Sequence, residues 1–281
     1  MLPNQIHAPW RADDSNRPAR TKDLRELRLE LGVGGGHESN VRVPHNRVKA
    51  ANCAPVQWTI TASPLRWHAT TMEHLRGKFI VFDGPEGSGK STQTAMLRSA
   101  LEAKGLDVLA VRDPGTTRVG EQVRAILLDP AHQEMGMRCE MLLYMAARAQ
   151  MMAEIILPAL QQGKVVLCDR FVSSTLAYQL GGDGMTAKDI RDVAEIAITR
   201  RWPDLTIIFD ISAEQSMARV KRAKDRIEQR PMEYHAQVVR NYLAQADGDP
   251  TYRVIRADRA PEQIHEDVLR IVQALDSTQA I

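Results

Sequence analysis

The sequence predicts an α/β fold: a mostly parallel five-stranded sheet with helices on both faces. Three observations carry this expectation. From Lys78 onward, short β-branched runs alternate with longer stretches of helical periodicity, the rhythm of βαβ units. Aromatic residues make up only 5% of the chain, which suits an aliphatic core better than an aromatic-rich β-sandwich. The regular part spans roughly 210 residues, the size of one large domain.

The elements follow in order. KFIVFD (78–83) is an apolar run of strand length and reads as the first strand, followed by a helix over 91–104. DVLAVR (107–112) is the second strand. Helical periodicity returns over 119–128 and again over 138–162. KVVLCD (164–169) is the third strand, and 187–201 another helix. DLTIIFD (204–210) is the fourth strand, with two helices at about 213–223 and 231–246. YRVIRA (252–257) is the fifth, and a last helix starts at Pro261. Continuous apolar strands of this kind are buried on both faces.

Residues 1–71 differ. They hold six prolines, the run Gly34-Gly35-Gly36, three of the four tryptophans and little periodicity. One short helix is expected over 22–31, ended by Gly32. The rest reads as a poorly ordered N-terminal extension, or as a start codon assigned too early, since Met72 stands six residues before the first strand. The expected organisation is therefore 1–71 as an extension and 72–281 as the domain.

Composition excludes several classes. The 37 basic and 35 acidic residues leave a formal charge of +2, so neither nucleic acid nor an anionic membrane is expected as the main partner. No apolar stretch is long enough to span a bilayer. The first residues hold no apolar signal core. The three cysteines, Cys53, Cys139 and Cys168, form no CxxC pair and imply neither a disulfide framework nor a zinc site. A cytoplasmic protein is expected.

The sharpest motif is Gly84-Pro85-Glu86-Gly87-Ser88-Gly89-Lys90-Ser91, followed by Thr92: GxxxxGK and then a hydroxyl residue, between a strand and a helix. Glycines let backbone N–H groups turn inward around phosphate oxygens, and the helix N-terminus adds favourable dipole. Lys90 would place its charge on the β/γ-phosphates, and Ser91, with Asp169 at the end of the third strand, would serve Mg²⁺. The motif implies ATP and Mg²⁺ as cofactors. A switch GTPase should also carry NKxD and DxxG, and neither is present. The strand ending Cys168-Asp169-Arg170 lacks the Asp-Glu of an ABC-type ATPase. An arginine directly after that aspartate suits phosphoryl transfer between two anionic substrates.

Six segments in order resemble the bacterial-type thymidylate kinases, across about Lys78 to Leu275. They are FDGPEGSGKST; VRDPGTT (111–117), similar to REPGGT; LLYMAARAQ (142–150), similar to LxFxAxRxQ; DRFVSSTLAYQ (169–179), similar to DRxxxSTxAYQ; RWPDLTIIFD (201–210); and DRIE (225–228). The resemblance implies a P-loop kinase fold and an enzyme that phosphorylates dTMP to dTDP with ATP, as a homodimer. It implies that Tyr144 stacks on thymine and that Arg148 binds its carbonyl edge. Taken alone, this i, i+4 pair reads as a core aromatic beside a solvated arginine. Ser174, Thr175 and Tyr178 would surround base and sugar; helix capping and a packed tyrosine explain them equally well. Arg112 would hold the acceptor phosphate, Glu86 the sugar 3′-hydroxyl, and Arg170 the transferring group.

Two positions depart from the family pattern: Asp113 stands for the usual Glu, and Thr116 for a Gly. Five basic residues between 219 and 226 are either a solvated helix face or the family's lid. In the second case Arg219, Arg222 or Arg226 supplies the arginine that the P-loop lacks. Two alternatives remain at this point: another nucleoside or nucleoside-monophosphate kinase, and a non-catalytic nucleotide-binding module with residues 1–71 as its partner-binding arm.

Overall fold

A computed structural model of the chain describes residues 72–275. The expected extension, its short helix and Cys53 lie outside the described residues, as do residues 276–281.

Five parallel strands form one sheet in the order β2-β3-β1-β4-β5. They are β1 (Phe79–Asp83), β2 (Val108–Arg112), β3 (Val165–Asp169), β4 (Leu205–Asp210) and β5 (Tyr252–Arg256). In β1 every residue is buried, and successive side chains feed opposite layers. Ile80 and Phe82 pack in one core with Leu97, Leu101 and Val268, whereas Phe79 and Val81 pack in the other with Met145, Met151 and Ile190. Period-2 alternation into two apolar layers is what a doubly covered parallel sheet requires.

The helices supplying those layers are α1 (Lys90–Glu102), α2 (Arg118–Leu128), α3 (Met137–Met151), α4 (Leu157–Gln161), α5 (Val172–Gln179), α6 (Ala187–Ala197), α7 (Ala213–Ala218), α8 (Met232–Ala246) and α9 (Pro261–Gln273). The chain leaves β1 toward one edge for β2 and β3, then crosses to the other side for β4 and β5. The C-terminal ends of β1, β3 and β4 therefore border the crevice where the strand order reverses, the usual ligand position in open α/β sheets.

Four details differ from the expected elements. The single helix over 138–162 is α3 and α4 joined by a π-helical turn at Met152–Ile156. Pro158 has no N–H and its ring crowds the carbonyl four residues back, so the ladder widens just before it. The helix expected to reach 201 ends at Ala197, and Thr199 and Arg200 then take positive φ values of 50° and 61°. The helix expected over 213–223 stops at Ala218, and 219–230 runs as turns. Helix α5, absent from the expected list, is only eight residues long and has no capping side chain at Phe171.

Candidate active site

The loop from Gly84 to Gly89 owes its path to glycine. Gly84, Gly87 and Gly89 have φ of 138°, 71° and 96°, where side chains are rarely tolerated. At two of them space is lacking as well. A Cβ on Gly84 would lie 2.8 Å from the Phe209 carbonyl oxygen, and one on Gly87 would lie 2.6 Å from that of Ser216. Gly87→Ala should therefore cost about 2–4 kcal/mol in backbone strain and overpacking. A fall in Tm of on the order of 10 °C with loss of nucleotide binding is expected; an unchanged Tm would show that the loop can move away from α7.

Lys90 opens α1 with its ammonium folded over the loop, 2.7 Å from the Pro85 carbonyl oxygen and 3.1 Å from that of Gly84. Ser88, fully buried, sits beneath it at 3.3 Å. Burial, and then the positive charge of Arg170, pull the Lys90 pKa down to about 8. An anion arriving in the cleft would restore it.

Asp169 closes β3 and Arg170 follows it. Ser91 Oγ donates to Asp169 Oδ2 at 2.6 Å. The next residue, Arg170, has φ 72°, a left-handed turn costing about 1–3 kcal/mol that swings its side chain back over the P-loop. There Arg170 donates to Glu86 Oε2 at 2.6 Å, to the Gly84 carbonyl at 3.0 Å and to Ser174 Oγ at 3.1 Å, with its guanidinium over the Tyr178 ring. Arg170, and to a lesser degree Lys90, hold the Glu86 carboxyl down at about 2.

These residues form a cationic cleft with Gly87, Gly89, Thr92, Arg112, Arg124, Arg219 and Arg222 on its walls. A second cavity adjoins it. Tyr144, Arg148, Ser174, Thr175, Tyr178 and Gln179 are among the residues that line it. Glu86, Arg124, Arg170 and Arg222 line both spaces, so the two lie side by side.

Arg148 is 1% exposed, not solvated. Its guanidinium donates to Asp113 at 2.5 Å, to the Phe171 carbonyl at 3.1 Å and to Thr175 Oγ1 at 3.2 Å. The shorter side chain at 113 thus finds a cation, although burial still keeps its pKa above the ordinary carboxylate value. Thr116 takes φ 68°, where the family pattern has glycine, and its hydroxyl bonds the Arg112 backbone N–H and C=O, both at 3.0 Å.

The model for thymidylate kinase matches residues 82–268. The chain belongs to the thymidylate kinase family. Among curated relatives, the thymidylate kinase of Pelotomaculum thermopropionicum is 47% identical over 203 residues, covering 71% of this chain and 94% of that protein. That of Halothermothrix orenii is 41% identical over 204 residues, covering 71% and 98%. The crystal structure of thymidylate kinase from Ehrlichia chaffeensis matches with a TM-score of 0.59 at 32% identity, over 70% of this chain and 99% of that one.

Of the anticipated residues, Arg112 lies on the outer wall of the cationic cleft, whereas Arg226 stands apart from it. Arg112 is exposed at its rim, paired to Glu121 at 3.0 Å. Arg226 is 3% exposed and turned away, donating to the Leu127 carbonyl at 2.8 Å and to the Glu140 carboxylate. Arg219 and Arg222 do reach the cleft. Arg219 donates to the Ala257 carbonyl at 3.0 Å, and Arg222 grips Glu228 through two bonds at 2.8 and 2.7 Å.

Sequence reasoning missed Asp83, the buried hub under the site. It accepts from Ser173 Oγ at 2.6 Å, Ser174 Oγ at 2.7 Å, Tyr242 OH at 2.7 Å and the Gly84 N–H at 2.9 Å. Its position, a carboxylate closing the strand before the P-loop, was the available signal. Tyr242 offered none, being one more apolar residue on α8. Arg124, shared by both spaces, was hidden among the polar residues of α2.

Proposed function

We propose that this chain is an ATP:dTMP phosphotransferase that makes dTDP, and that residues 72–281 carry the activity. One observation supports this best. A P-loop cleft with a buried lysine and an aromatic, arginine-lined cavity share Glu86, Arg124, Arg170 and Arg222 as common walls. A donor triphosphate and an acceptor nucleotide would then meet phosphate to phosphate across Arg170.

The acceptor is itself an anion, so little proton removal is needed, and catalysis rests on positioning and charge neutralisation. Lys90 and Arg170 bind and orient the phosphates. Tyr144 offers a flat face to the pyrimidine ring and Arg148 a donor fork to its carbonyl edge. Ser174, Thr175 and Tyr178 pack around base and sugar, Arg112 reaches the acceptor phosphate from the rim, and Glu86 receives the sugar hydroxyl. A hydroxyl and a carboxylate facing one another, Ser91 and Asp169, are the hard oxygen donors that suit Mg²⁺. Among the described residues no three His, Cys, Asp or Glu side chains converge, in keeping with an ion that keeps waters and substrate phosphates as ligands. When bound there, Mg²⁺ neutralises charge on the donor phosphates.

This reading carries a homodimer: Val119 and Ile126 on α2 and Leu142 on the neighbouring α3 are exposed apolar side chains. It also carries a cytoplasmic location; no helix among the described residues is long and apolar enough to cross a membrane.

Two experiments test it. ADP release, measured with ATP and each nucleoside monophosphate in turn, should depend on dTMP; acceptor-independent release would oppose the reading. Replacing both lid arginines (Arg219→Ala with Arg222→Ala) should lower kcat by about 100-fold, with nucleotide affinity nearly unchanged, because their new contacts form with the transferring group. Arg226→Ala should act on the fold instead, costing about 1–3 kcal/mol, because it removes the donor to the buried Leu127 carbonyl and leaves Glu140 with Arg230 as its guanidinium partner. If Arg226→Ala lowers kcat at unchanged Tm and the double variant does not, the lid roles are reversed.

A further inference from the structure

We propose that Tyr242 is a positioning residue for phosphoryl transfer: with Asp83 beneath it, its hydroxyl fixes which edge of Arg170 meets the transferring group. The inference rests on the role given to Arg170 above. Tyr242 lies on α8 and is 1% exposed, and Asp83 is fully buried. The Tyr242 hydroxyl donates to Asp83 Oδ1 at 2.7 Å, as does Ser174 Oγ. Burial, and then the Asp83 charge, push the Tyr242 pKa well above the ordinary phenol value, so the hydroxyl keeps its proton.

The consequence falls on Arg170. A guanidinium has donors only, so no hydroxyl proton can point at it. However Tyr242 and Ser174 share their own contact at 2.8 Å, their protons run toward Asp83 and leave lone pairs for the arginine. Arg170 Nη1 donates to both hydroxyls at 3.1 Å and to the Gly84 carbonyl at 3.0 Å. Its two protons are thus fully engaged by the protein. Nη2 is the terminal nitrogen that remains, and it donates at 2.6 Å to Glu86 Oε2, on the wall of the cleft. Arg170 therefore presents its Nη2 edge to an incoming phosphate. Tyr242 itself lines neither the cleft nor the neighbouring cavity, so it acts through Arg170.

Tyr242→Phe deletes the hydroxyl but keeps the ring, which packs edge-on to Tyr178 at 6.1 Å between centroids. Asp83 Oδ1 keeps Ser174 and the Gly84 N–H as donors. Steady-state kinetics on the full chain with ATP and dTMP should show kcat lowered at least about tenfold, with both KM values within about threefold of the parent. A packing defect would lower kcat too, so the substitution is repeated in an Arg170→Gln background. Arg170→Gln alone should lower kcat by at least about 100-fold. Adding Tyr242→Phe to it should then change kcat by less than about threefold, because the guanidinium it acts through is gone. The same loss of kcat in both backgrounds, a higher KM for dTMP at unchanged kcat, or parent kinetics in Tyr242→Phe overturns the inference. Should Tyr242→Phe not fold, Tyr242→Met takes its place in the same cycle. An Arg170→Gln variant with parent kcat overturns the role given to Arg170, and the inference with it.

Discussion

Lys90→Ala should lower kcat by at least about 10³-fold while the protein stays folded. The ammonium lies against the loop proposed to wrap the donor phosphates, and in a water-poor cleft one such charge is worth about 4 kcal/mol to the transition state. The fold should tolerate the loss for a reason visible around the ammonium. Lys90 is buried beside Arg170, and burial together with that like charge lowers its pKa to about 8. Its ionised form is therefore held at a cost that the variant no longer bears. Of its two carbonyl partners, that of Gly84 keeps a bond from Arg170 at 3.0 Å. Tm should move by no more than about 4 °C. Turnover within about tenfold of the parent would show that the loop does not act on the phosphates as argued.

Arg148→Met should show two separable effects. The first is on stability. Arg148 is the cation bonded to Asp113, and both side chains are 1% exposed. Removing it strands a buried carboxylate, at a cost of about 3–5 kcal/mol and a Tm loss on the order of 10 °C. Burial already raises the Asp113 pKa in the parent, and loss of the opposing Arg148 charge raises it further. The folded variant then prefers the protonated acid more than the unfolded chain does. Its deficit should be largest at neutral pH and shrink as the pH falls. The second effect is on the acceptor: KM for dTMP should rise far more than KM for ATP. The double variant Asp113→Asn, Arg148→Met separates the two, because it removes the stranded charge without restoring a donor. It should recover most of the Tm and none of the dTMP affinity. Recovery of both would make Arg148 a structural residue.

The sequence carried most of the fold and the loop-borne half of the site. Strand positions could be read because each is a short apolar run between helical stretches. The P-loop could be read because its chemistry is local: glycines, lysine and serine lie within eight consecutive residues. The other half depends on partners far apart in the chain. Asp83 meets Tyr242 across 159 positions, and Glu140 meets Arg226 across 86. No periodicity links such pairs. The basic run from 219 to 226 shows the same limit, since Arg222 and Arg226 look alike in sequence. One lies over the phosphate cleft; the other points away to the carboxylate of α3. Helix ends at Ala197 and Ala218 were equally hidden, because both are set by turns that the following residues adopt only in the packed fold.

The central claim is that the γ-phosphoryl group of ATP passes to dTMP across Arg170. Following an isotopic label on that phosphorus tests it most directly, with the chain supplied with Mg²⁺, ATP and an equimolar mixture of nucleoside monophosphates. The account predicts that the label is recovered in dTDP, and that without dTMP little is released as inorganic phosphate. Label recovered mainly as inorganic phosphate at a rate indifferent to dTMP, or in the diphosphate of another nucleoside, would contradict it.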